Sequence, residues 1–123
     1  WVIATGKTTE IREFVKMAFA HVGIELEFKG EGVDEKAFVF NCTHADYQLE
    51  IGKEVLSIDP KYFRPTEVDL LIGDPSKAKN KLGWVPEIKL EGLIEDMMQS
   101  DLTLMSKDQH LKEAGYPILN YFE

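Results

Sequence analysis

Seven apolar residues on helical spacing constrain this chain most. Leu90, Leu93, Ile94, Met97, Met98, Leu102 and Met105 recur at steps of one turn, which lays an apolar stripe along a long helix. Ile11, Phe14, Val15, Ala18, Phe19 and Val22 do the same nearer the start. Two such stripes need a shared surface to cover. The chain between them supplies it as short strands. Residues 24–28 alternate apolar and polar, as a half-buried strand does, and Lys29-Gly30-Glu31-Gly32 reads as a turn. Residues 37–40 and 55–58 read as two further strands. The expectation is an α+β fold, with short strands among three or four helices, in a single unit over residues 1–123.

Punctuation refines that outline. Thr8 or Thr9 is placed to cap the first helix and Gly23 to end it. Residues 2–4 read as a short buried strand, as do residues 70–72. Residues 41–52 show no period and read as a loop. Asp59-Pro60 breaks the strand before it. Asp74 can cap a helix with Pro75 in its first position, Ala78 and Leu82 sit one turn apart, and Gly83 is a natural stop. Trp84 is expected to anchor the turn that follows, with Pro86 blocking further helix. Ser106 with Gln109 resembles a capping box for a last short helix ending near Gly115. The methionines at helical spacing read as core filler.

Bulk properties narrow the function. The chain has 123 residues, enough for one modest core. Its net charge of −8 argues against a general binder of nucleic acid or anionic membrane, since both need an extended basic face. A small phosphate-bearing ligand held by one or two local cations stays open. Cys42 is the single cysteine, so no internal disulfide exists, which fits a reducing, cytoplasmic setting. No apolar run is long enough to span a bilayer, and no signal peptide is expected. A strand read from the first residue, Trp1-Val2-Ile3-Ala4, leads us to expect a piece of a longer protein.

The chemistry-bearing residues are few. Arginine occurs only at Arg12 and Arg64. A guanidinium binds phosphate oxygens through parallel hydrogen bonds, and Pro65 biases Arg64 towards an extended conformation. Glu67 could accept hydrogen bonds from two vicinal sugar hydroxyls. Together they would make a nucleotide grip; from spacing alone, a surface Arg64–Glu67 ion pair is the simpler reading. Arg12 reads as a solvated helix-face charge, with contact to a neighbouring domain or subunit as the alternative. Cys42, His44 and Asp46 alternate and would share one face of a strand, but zinc sites usually draw on more than one segment, so no metal is expected. Gly30-Glu31-Gly32 lacks the third glycine of a phosphate loop. There is no G-x-G-x-x-G, no G-x-S-x-G and no P-loop, and no tyrosine has a lysine four positions later. No catalytic residue is expected within this segment.

Residues 62–84 carry a resemblance. Arg64-Pro65-Thr66-Glu67-Val68, then Asp74-Pro75-Ser76-Lys77-Ala78, then Leu82-Gly83-Trp84-Val85-Pro86 resemble the C-terminal substrate-binding segment of extended short-chain dehydrogenase/reductases that act on nucleotide sugars. "VIATGKTTEIREFVKMAF", "KGEGVDEKAF", "VLSIDPKYFRPTEVDLLIGDPSKA" and "LKEAGY" are more specifically similar to the GDP-mannose 4,6-dehydratase family. Lys89 departs from the pattern, standing where a capping Thr or Ser would be comfortable. So does length, since the N-terminal Rossmann half is missing. The resemblance implies a lyase that binds NADP in that missing half, oxidises C4 of GDP-linked mannose, eliminates water across C5 and C6, and returns the hydride to C6. The product implied is GDP-4-keto-6-deoxymannose, on the route to GDP-fucose. The resemblance also implies Arg64 on the diphosphate, Glu67 on the ribose, acid/base residues upstream of Trp1, and a homodimer or homotetramer of the full enzyme.

Two other readings are kept. One is a sibling nucleotide-sugar epimerase or reductase. The other is a non-catalytic nucleotide-binding or interaction module that keeps the fold without the chemistry. On the first reading the piece alone is expected to be inactive.

Overall fold

A computed structural model of the chain describes residues 1–64 and 71–118. The elements follow in order as α1 (Ile11–His21), β1 (Ile24–Lys29), a single 3-10 turn (Gly32–Asp34), β2 (Lys36–Cys42), β3 (Glu54–Ser57), α2 (Ser76–Leu82) and α3 (Leu90–Glu113). The three strands form an antiparallel meander in the order β1-β2-β3.

Alternation decides which face of that sheet is buried. Ile24, Leu26 and Phe28 turn inward along β1 while Glu25, Glu27 and Lys29 stay exposed. On β2, Ala37 and Val39 are buried. Register shifts at Glu25/Leu26 and at Ala37/Phe38 adjust the pairing. The core gathers Val22, Ile24 and Val39, with Phe19 of α1 and Met98 and Leu102 of α3 packed against them. Val39 is only 2% exposed, and burying a side chain of that kind contributes about 1.5–3 kcal/mol.

The turn between β1 and β2 depends on one glycine. Gly30 has φ +87°, and a Cβ there would collide with the Asp34 carbonyl, so only glycine fits without moving backbone. At the far end of β2, the Thr43 N–H donates to the Gly23 carbonyl at 2.8 Å. That bond ties the strand end to the exit of α1.

Several expectations change. The first helix starts at Ile11 behind Glu10, not at Thr8 or Thr9, and Glu10 makes no side-chain cap. Residues 2–4 form no strand. Among the described residues they have no ladder partner, and Trp1, Val2 and Ile3 are exposed. They lie instead against Gly73, where an added Cβ would fall 2.6 Å from the Ala4 Cβ and 3.2 Å from a Val2 methyl. Leu71 and Ile72 are likewise exposed and outside any strand, and Leu70 lies outside the described residues.

The capping box at Ser106 is not used. α3 runs unbroken through it for 24 residues, because no Pro or Gly interrupts residues 93–113 and extending a helix costs less than nucleating a new one. The stop comes where expected, at Gly115. There the Tyr116 N–H reaches the Leu111 carbonyl at 2.9 Å and the Gly115 N–H reaches that of Lys112 at 3.0 Å, which is a Schellman closure.

Candidate functional site

The exit of β3 sets the position of Arg64. Asp59 and Pro60 follow the strand, and Asp59 bonds forward twice. Its Oδ1 accepts the Lys61 N–H at 2.9 Å, and its carbonyl accepts the Tyr62 N–H at 3.0 Å. Pro60 fixes φ at the corner, where a turn favours it. Lys61 Nζ lies 5.3 Å from the centre of the Tyr62 ring. Phe63 and Arg64 leave the turn, and Arg64 is exposed. Glu67 lies outside the described residues. Sequence reading treated Asp59-Pro60 only as a strand breaker. The signal for more was the pair of donors that follows an Asp-Pro step.

Pro75 stands at the N-cap of α2, not in its first helical position, and Asp74 makes no cap to the turn beyond but bonds locally to Ser76. The helix begins at Ser76, and Asp74 Oδ1 accepts both the Ser76 N–H, at 2.9 Å, and the Ser76 hydroxyl. These bonds, the hydroxyl's first, hold the Asp74 carboxyl below its ordinary range. Trp84 beyond the helix is half-buried. Lys89, at the N-cap of α3, makes no side-chain cap.

Arg12 is not a simple solvated charge. Its Nε donates to Glu35 Oε1 at 2.7 Å, and a terminal nitrogen sits 2.6 Å from the same oxygen. The guanidinium also lies 5.8 Å from the centre of the Phe28 ring. The Glu35 hydrogen bond, then its charge, raises the Arg12 pKa further. This clamp joins α1 to the β1–β2 connection and explains Arg12 structurally.

Cys42, His44 and Asp46 do not share a strand face, because β2 ends at Cys42. The Cys42 thiol donates to the Leu49 carbonyl at 3.4 Å, and His44 Nδ1 accepts the Asp46 N–H at 3.1 Å. Among the described residues no three metal-ligating side chains come together. An open groove of about 310 Å³ lies beside the core, floored by Val22, Ile24, Met98 and Leu102. A second, of about 350 Å³, follows residues 48–53. Arg64 lines neither of them.

The described helix starts are all acidic: Glu10 and Glu13 at α1, Asp74 before α2, and Glu91 at α3. Negative charge beside a helix start disfavours a phosphate there. No glycine-rich strand-to-helix turn leads into any of the three.

A family model described as GDP-mannose 4,6 dehydratase matches residues 1–97. The chain belongs to the GDP-mannose 4,6-dehydratase family. A GDP-mannose 4,6-dehydratase of Vibrio cholerae serotype O1 is 46% identical over 119 residues, which is 96% of this chain and 32% of the relative. The Drosophila melanogaster enzyme of that name is 49% identical over 108 residues, 88% of this chain and 25% of its own length. The human one is 41% identical over 105 residues, 85% of this chain and 26% of the relative. The chain thus spans about a third or less of the dehydratases it matches. The matched stretch takes in the meander, the Asp59 turn, Arg64 and Glu67, α2 and the first turns of α3.

Proposed function

We propose that this chain is the C-terminal GDP-sugar-binding part of a GDP-mannose 4,6-dehydratase, a lyase that converts GDP-mannose to GDP-4-keto-6-deoxymannose and water. The family match over residues 1–97, which includes Arg64 and Glu67, carries the reading. On it, Arg64 grips the diphosphate and Glu67 accepts the ribose hydroxyls. The chemistry suits both: guanidinium meets paired phosphate oxygens, and carboxylate meets a vicinal diol.

The rest of the enzyme is assigned elsewhere. The acidic helix starts do not fit the pyrophosphate of a dinucleotide, so the reading places NADP on a Rossmann half outside this segment. The acid/base residues belong there too, and the segment alone is inactive. The full enzyme is read as a cytoplasmic homodimer or homotetramer acting on GDP-mannose, without nucleic-acid or membrane partners. No described helix is long and apolar enough to cross a membrane.

The test uses the intact dehydratase. Arg64→Ala is expected to weaken GDP-mannose binding by about 1.5–3 kcal/mol, the value of a lost hydrogen bond to a charged group, with NADP affinity unchanged. Undiminished substrate affinity in the folded variant would refute the clamp. Product analysis separates the sibling reading, since a dehydratase yields a 6-deoxy-4-keto sugar and an epimerase an intact hexose.

A further inference from the structure

We propose that Asp59 is a positioning residue for Arg64, which rests on the diphosphate reading of that arginine. The sheet is anchored by the buried core, and its last strand ends at Ser57. Between that fixed point and Arg64, Asp59 makes two forward bonds, to the N–H groups of Lys61 and Tyr62. Pro60 removes the freedom of φ within the same turn. A flexible arginine gains most from a phosphate when its backbone is already held, because ordering it on binding costs entropy. The carboxylate oxygen at Asp59 supplies the hold through geometry. Its charge is not required, so an amide oxygen in the same place serves equally well. Beside Asp59, Ile58 is half-buried and Pro60 has no N–H to donate.

The experiment measures GDP affinity by titration calorimetry in the intact enzyme, for wild type, Asp59→Ala, Asp59→Asn, Asp59→Glu, Arg64→Ala and the double variant Asp59→Ala with Arg64→Ala. Asp59→Ala is expected to weaken GDP binding roughly fivefold, within the usual coupling between neighbouring residues. Asp59→Asn keeps the acceptor and binds like wild type. Asp59→Glu keeps the charge, moves the oxygen out by one methylene, and binds like Asp59→Ala. Should Asp59→Ala not fold, the contrast between Asn and Glu decides the matter. The double variant is expected to match Arg64→Ala alone. In Asp59→Ala the KM for GDP-mannose is expected to rise by more than kcat falls. A weakened Arg64→Ala beside a normal Asp59→Ala and Asp59→Glu, or additive losses in the double variant, would overturn the positioning role alone. Normal GDP binding in Arg64→Ala would overturn the clamp reading and this proposal with it.

Discussion

Asp74 acts at the head of α2 through its ionised form. The carboxyl accepts two bonds from Ser76 and is held below its ordinary pKa, first by the hydroxyl and then by the backbone N–H. A carboxyl with a depressed folded-state pKa stabilises fully above its unfolded value and loses that stabilisation as pH falls through the folded one. Asp74→Ala should therefore lower the thermal midpoint near neutral pH, and the gap from wild type should close below about pH 4. Circular dichroism melts across pH 2–7 would show it; a gap constant over that range would contradict the assignment. Asp74 was legible in the sequence because its partner sits two residues away. Glu35 was not, because it lies 23 residues from Arg12 and only the turn after β1 brings the two together. Arg64 was singled out by its neighbours in the chain, whereas the Asp59 bonds to Lys61 and Tyr62 depend on how the chain turns after β3.

At the level of elements, α3 separates a motif from its use. Ser106 and Gln109 have capping-box spacing, yet Gln109 donates instead to Glu113, one turn on, at 2.9 Å. A capping residue lost to alanine destabilises a helix, while alanine inside a helix favours it. Ser106→Ala should thus leave the stability of α3 unchanged or slightly raised, and Ser106→Pro should cost about 3 kcal/mol or more. Amide hydrogen exchange along residues 100–113 reads both, and faster exchange in Ser106→Ala would restore the two-helix expectation. The meander was more readable, since period-two alternation in residues 24–28 declares its own inward face. The extent of β2 was less so. It continues to Cys42 because Ile24 offers a partner there, a pairing that no local pattern announces. The same logic explains residues 2–4 and 71–72, whose apolar character suggests strands but which lack described ladder partners.

Across the whole molecule, the apolar surface is unevenly placed. Trp1, Val2, Ile3, Leu71 and Ile72 are each at least half exposed; Val2 lies against Gly73, and the Trp1 ring against Lys77 of α2. Contiguous apolar surface of this kind usually marks something that covers it, and the relatives are about three times longer than this chain. The isolated segment is expected to aggregate or bind ANS, and the intact enzyme to do neither. A monomeric segment with a sharp melt and no ANS signal would count against that. The approach of Val2 and Ala4 to Gly73 has a consequence of its own for assembly. The meander joins neighbours in the chain and can close as soon as Ser57 has been synthesised, since short loops close fastest. The first four residues meet their neighbour only after Gly73 has left the ribosome. On the growing chain, the sheet therefore precedes the contact around Gly73.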